Sequence, residues 1–143
     1  MLVKQISIFL ENRVGRLEEV TGVLAKADIN IRALSLADTS DFGILRLIVN
    51  KPDEAAKALQ QAGFTVRENE VVAAEVDDRP GGLAKILQVF STAGISLEYM
   101  YGFLERKAEN AVMVFRVESN GKAIKSLQDA GVSLIGAADI CAL

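Results

Sequence analysis

The sequence predicts an α+β protein made of two βαββαβ units in tandem. Three observations lead there. The chain repeats itself: residues 11–36, ENRVGRLEEVTGVLAKADINIRALSL, align without a gap on residues 77–102, DDRPGGLAKILQVFSTAGISLEYMYG. Arg13 falls on Arg79, Gly15 on Gly81, Leu17 on Leu83, Ala27 on Ala93 and Ile29 on Ile95, all at an offset of 66 residues. LQQAGFTV at 59–66 meets LQDAGVSL at 127–134 at an offset of 68, so the second copy gains two residues between Gly102 and Met113. Within each copy the apolar period alternates between two and 3.6 residues in the order strand, helix, strand, strand, helix, strand. No Pro/Gly/Ser-rich linker divides the copies. Internal repetition sets the fold reading and places two domains at 1–70 and 71–143.

The elements follow from local chemistry. Ile6, Ile8 and Leu10 alternate as in a strand. The turn Glu11-Asn12-Arg13-Val14-Gly15 leads to Leu17, Val20, Leu24 and Ala27, one face of a helix that Asp28 ends. Strand pattern returns from Ile29 to Leu36, polar turn residues fill 37–41, and FGILRLIV at 42–49 is a nearly continuous apolar strand. Pro52, Asp53 and Glu54 suit a first helical turn, through proline's fixed φ and the positive end of the helix dipole. Ala55, Ala58, Leu59 and Ala62 continue that helix to Gly63, and Phe64 opens the last strand. The second copy gives strands at 71–76, 95–104 and 111–117, helices on Leu83–Ala93 and about Lys122–Ala130, and a strand from Val132 that carries Cys141 near its end. The last strand of copy one runs directly into the first of copy two through Arg67–Glu75. Four antiparallel strands with two helices on one face give each half a ferredoxin-like α+β sandwich. The strands are apolar on both sides, so the second face is expected to be covered by the partner domain or another chain.

Composition excludes several functions. The 143 residues include no histidine and one cysteine. That removes the commonest general base and metal ligand, every Ser/His or Cys/His nucleophile pair, and thiolate metal sites. Neither a catalytic role, a metal nor a cofactor is expected. Net charge is −3 and pI about 5.0, without the basic footprint of a nucleic-acid binder. Half the residues are hydrophobic and the mean hydropathy is +0.26, yet no apolar run reaches the roughly 20 residues of a membrane helix. The start, MLVKQISIFL, lacks signal-peptide features, so a cytoplasmic location is expected. Units of about 70 residues are marginal alone, which favours a homodimer.

The candidate site is the turn between the first strand and first helix of each copy, ENRVGRL and DDRPGGL. Gly15 and Gly81 permit a tight bend and close approach by a ligand. The helix start that follows offers unpaired amides and the positive dipole end to a carboxylate. Asn12 and Asp78, with Glu11 and Asp77, carry oxygens that could hold an ammonium group. Together these are the needs of a free amino acid, although a purely structural turn has the same residues.

The plan, with (N/D)-R-(V/P)-G-x-L at the first turn and A-x-I-N-I or A-G-I-S-L at the second strand, resembles the ACT domain. Asp77-Asp78-Arg79-Pro80-Gly81-Gly82-Leu83-Ala84 with Ala93-Gly94-Ile95-Ser96-Leu97 is the nearer match. Copy one departs at Val14, where the family often has proline. The resemblance implies a small-molecule regulatory module, most often for amino acids, whose domains pair side by side. The ligand then sits at a domain interface, gripped by backbone at the first turn. It also implies a stand-alone tandem protein and an enzyme of amino-acid metabolism as a possible partner. Carried onto this chain, the site comprises Asn12, Arg13, Val14, Gly15, Arg16 and Leu17, with Asp78, Arg79, Pro80, Gly81, Gly82 and Leu83. Asn30 and Ser96 are further polar contacts at the second strands.

Other readings compete. Arg13 and Arg79 are either carboxylate clamps or solvated turn residues. The loop at 105–110 is charged where its counterpart at 38–43 is polar, and it lies in the stretch where the second copy gains two residues, so the two sites should differ. The letters Asp41-Phe42-Gly43 lack any kinase context. Tyr99, Met100, Tyr101 and Phe103 suit interface packing or a wall for an apolar ligand side chain. Arg46 and Arg116 sit inside apolar strands, at a sheet edge or an interface. RNA-recognition domains share the element order but need basic, aromatic third strands, which FGILRLIV and AVMVFRV are not. Acylphosphatase-like enzymes need a richer glycine loop. The serious rival is a regulatory subunit that docks an enzyme without binding a metabolite.

Overall fold

Ile6, Ile8 and Leu10 do alternate on a strand, β1 (Val3–Glu11), and point to the helix-covered side of the sheet. The computed structural model describes residues 2–38 and 41–142; Thr39 and Ser40 of the expected polar turn lie outside the described residues. After β1 come α1 (Arg16–Lys26), β2 (Ile31–Asp38), β3 (Phe42–Val49), α2 (Pro52–Gln61) and β4 (Thr65–Asp77). The second copy supplies α3 (Gly82–Thr92), β5 (Leu97–Gly102), β6 (Asn110–Val117), α4 (Asn120–Asp129), β7 (Leu134–Ile135) and α5 (Ala137–Ala142). The chain forms two units: Lys4–Asn69 with the segment from Ile140, and Glu70–Asp139 with Leu2 and Val3. Their boundary falls inside β4, whose two parts complete one βαββαβ plan and begin the next.

In the first unit the strands run β4-β1-β3-β2. β1 and β3 are antiparallel, pairing Ile6 with Leu47, Ile8 with Leu45 and Leu10 with Gly43. Those side chains pack against Val20 and Leu24 of α1 and Ala55, Ala56 and Leu59 of α2. Each fully buried leucine, isoleucine or valine contributes about 1.5–3 kcal/mol. Pro52 starts α2 as expected, with Asp53 and Glu54 in its first turn.

The second unit repeats the order as β7-β4-β6-β5. Val72 pairs with Phe115, Ala74 with Met113 and Val76 with Ala111. Ile86 and Phe90 of α3 and Ala123 and Leu127 of α4 cover them. Phe90 meets Phe115 edge-to-face, with ring centroids 5.4 Å apart at 83°. On the opposite sheet faces Ala33 and Ile48 in the first unit, and Val71, Ala73, Val112 and Val114 in the second, are buried too.

All four long helices end in a left-handed residue: Asp28 (φ 57°), Gly63 (90°), Gly94 (69°) and Gly131 (77°). In α1 the Ile29 N–H donates to Leu24 O, and in α3 the Ile95 N–H donates to Phe90 O, closing each helix in the Schellman manner. Asp28 thus does in copy one what glycine does elsewhere.

The chain's last stretch differs from expectation. The strand expected from Val132 is reduced to Leu134 and Ile135, and Cys141 lies in a helix, α5, not near a strand end. Its thiol donates to Asn50 O, 3.1 Å away. β5 is shorter than the expected 95–104, and α4 starts two residues before Lys122, where the Ser119 hydroxyl accepts the Lys122 N–H.

Candidate functional site: the paired strand-to-helix turns

The two glycines adopt the same backbone. Gly15 has φ 89° and ψ −11°, Gly81 φ 88° and ψ −8°, and each is the N-cap of its helix. The positive φ selects glycine at both positions. A Cβ on either would meet nothing within 4 Å, so each bend borders open space. The hydrogen bonds match as well. The Arg13 N–H donates to Glu11 O and the Arg79 N–H to Asp77 O, both at 2.9 Å. The Glu19 N–H donates to Gly15 O and the Lys85 N–H to Gly81 O, both at 3.0 Å. No side chain caps α1 or α3; the Arg16 and Gly82 amides donate to the Arg13 and Arg79 carbonyls (3.4 and 3.0 Å), and the amides that follow them are left to solvent or a ligand.

The surroundings differ. At the first turn the Asn12 N–H donates to Asp41 O (3.0 Å), tying the turn to the start of β3. A cleft of about 160 Å³ opens here, lined by Glu11, Asn12, Arg13, Arg16, Leu17 and Leu36 among others. Small-molecule sites usually enclose about 300–1,000 Å³, so this one suits something small. Val14 projects fully into solvent. Arg16 donates from Nη1 to Glu19 Oε2 (2.8 Å) and lays its guanidinium over Phe64, 4.6 Å from the ring centroid. Its Nε is buried with no hydrogen-bond partner among the described residues.

At the second turn Gly82 stands where copy one has Arg16. A Cβ on Gly82 would overlap the Asp77 carbonyl oxygen and lie 2.9 Å from its carbon, so this helix start is pressed against β4. Asp78 is held by Arg106 of the 105–110 loop (2.9 Å), whose Nη2 also donates to Glu109 O (2.6 Å). Asp78, Arg79, Pro80 and Leu83 line an open cleft with Ala111 and Met113.

Arg13 and Arg79 pair within their own turns, with Glu11 (3.7 Å) and Asp77 (3.2 Å), and both are exposed. Asn30 and Ser96 precede β2 and β5 by one residue and are exposed. Asn30 is tied to Asn50: its N–H donates to Asn50 Oδ1 (3.0 Å) and its carbonyl accepts the Asn50 N–H (3.2 Å). Along β3 it lies at the Val49 end, whereas the first turn lies at the Gly43 end, ~20 Å away. Within a unit, then, Asn12 to Leu17 come together and Asn30 does not join them. Tyr99 and Tyr101 stack at 6.4 Å, and Arg116 pairs with Glu98 (3.2 Å). Sequence reasoning missed the seating of Arg16 on Phe64 and the pairing of Arg106 with Asp78, since only the fold brings these residues together.

Among the described residues no cluster of three or more His, Cys, Asp or Glu could hold a metal ion, and no helix is long and apolar enough to cross a membrane. The twin ferredoxin-like units with matching glycine bends define an ACT-type tandem. The family model described as the ACT domain pair matches residues 1–143, and the chain belongs to that family. The crystal structure of protein BT0572 from Bacteroides thetaiotaomicron is similar at 45% identity and a TM-score of 0.93, covering 100% of this chain and 98% of that one. The ligand-free regulatory subunit of aspartate kinase from Thermus thermophilus shares the fold at 18% identity and a TM-score of 0.65, covering 90% and 93%. The regulatory subunit of aspartate kinase from Thermus flavus does so at 18% and 0.59, covering 90% and 92%. No curated protein sequence matches the chain significantly.

Proposed function

We propose that this chain is a regulatory, non-catalytic protein that senses a free amino acid at an interface of two ACT domains and works as a homodimer. The observation that carries the reading is the twin bend: the same left-handed glycine, open on its outer side, starts an uncapped helix in both copies. Amides at such a helix start favour a carboxylate, and an ammonium group would take oxygens of Asn12 and Glu11 at the first turn or compete with Arg106 for Asp78 at the second. The residues we assign to the ligand are Asn12 to Leu17 and Asp78 to Leu83. A bound ligand favours whichever conformation it contacts best, which is the means of regulation. The fold shared with aspartate kinase regulatory subunits supports an enzyme of amino-acid metabolism as the regulated partner.

A thermal-shift screen of the twenty amino acids tests this. At a hundredfold excess over Kd a ligand adds about 2.7 kcal/mol, a shift on the order of 5–10 °C. Substituting aspartate at Gly15 and Gly81 should abolish the shift by adding a side chain and a negative charge at the bends. A second reading, a docking subunit that binds no metabolite, draws on the exposed Phe42 (57%) and Leu104 (66%). It predicts no shift with any amino acid.

A further inference from the structure

Resting on the homodimer in that reading, we infer that a second copy of this chain docks, through a two-fold contact, on the helix-free sheet face of the first unit around Phe9 and Phe42. The strand register puts three levels of side chains on that face: Glu11 opposite Phe42, Phe9 opposite Ile44, and Ser7 opposite Arg46. The alternate residues Ile8, Leu10 and Leu45 point to the helices and are buried. Phe9 (37%) and Phe42 (57%) are exposed, and Ile44 is half-buried. Large apolar side chains gathered on one exposed face mark an interaction site.

Charge selects the partner. Glu11, with Asp41 just before Phe42, makes one end of the patch acidic. Arg46 and Arg67 make the other end basic, and Arg67 sets its guanidinium 5.5 Å from the Phe9 ring centroid, which places it on this face. From Glu11 to Ser7 the strand spans ~13 Å, at about 3.3 Å per residue. An acidic end and a basic end fit a second copy better than a partner of one charge. A two-fold axis crossing the strands at the level of Phe9 and Ile44 exchanges the ends. It sets Glu11 of each copy over Ser7 of the other, between Arg46 on β3 and Arg67 on β4, with the phenylalanines in the middle. Glu11 is available for this: its pair with Arg13 is 3.7 Å long and exposed on both sides, where an ion pair is worth little. The second unit has no such patch. Glu75 stands in place of Phe9, Asn110 in place of Phe42, and the buried Val112 and Val114 in place of Ile44 and Arg46. One self-complementary patch per chain closes a pair and stops there.

Sedimentation velocity of the full chain over a concentration series tests the inference. The expected result is a dimer and nothing larger. Phe42→Ser should raise its dissociation constant more than tenfold, while Leu36→Ser, exposed on the helix-bearing side of β2, changes it less than twofold. Glu11→Arg and Arg67→Glu should each weaken the dimer about tenfold, and the two together should return it to within about threefold of the parent. Should Phe42→Ser fail to fold by circular dichroism, the charge exchange at these exposed positions carries the test alone. A dimer indifferent to Phe42→Ser and to both charge changes, a dimer broken by Leu36→Ser instead, or assembly beyond a dimer overturns this inference and leaves self-association standing. A monomer at every concentration overturns both the contact and the homodimer.

Discussion

The two strand-to-helix turns have one backbone and two chemistries. Gly15 and Gly81 agree within a few degrees in φ and ψ, and their turn hydrogen bonds agree within about a tenth of an ångström at two of the paired positions. One residue later the copies part: Arg16 reaches Phe64, whereas Gly82 lies where no Cβ fits. After duplication the bend was held by its φ requirement, a property of a single residue. The residue beside it was free to change wherever its neighbours gave way. Duplicated architecture therefore does not mean duplicated surroundings.

Exchanging the divergent position breaks the comparison most sharply. Gly82→Ala should cost about 2–4 kcal/mol, because the new methyl group strikes main chain that cannot move aside. Arg16→Ala, with space already made, should cost only about 1 kcal/mol from lost packing on Phe64. Urea unfolding of both variants gives the difference directly. Next come the conserved bends. Gly15→Ala and Gly81→Ala should each lose about 1–2 kcal/mol, within ~0.5 kcal/mol of each other, since strain in φ is the shared cause. Unequal losses by the same measurement would mean that the two bends are not the same device. The smallest effect belongs to Arg106→Ala. Both partners of its ion pair are about half exposed (56% and 51%), so stability should fall by less than about 1 kcal/mol, and the difference should shrink in high salt.

The sequence made the repeat, the strand periodicities and the glycine bends legible because each is written in residues near one another. Positive φ at Gly15 needs no distant partner, and neither does Pro52 at the head of α2. Arg16 on Phe64 was not legible, because the contact joins the start of α1 to the residue before β4. Helix α5 was missed for a different reason. Six residues show no helical period, and Val132, Leu134 and Ile135 read as a longer strand. A signal was present: the Asp139 carboxylate accepts the Gly136 N–H at 3.0 Å, the return half of a capping box. Asp28 shows the opposite case, where the sequence marked a helix end correctly at a residue that must take the left-handed conformation without glycine's freedom.

The chain's last residues have a consequence for its history. Ile140 is buried and Cys141 reaches Asn50, so the segment from Ile140 belongs to the unit of Lys4–Asn69, while Leu2 and Val3 belong to the other unit. The piece of gene that was copied and the piece of polypeptide that folds are therefore no longer the same. A descendant that lost either half would also strip the survivor of a terminal segment, which makes the duplication hard to undo.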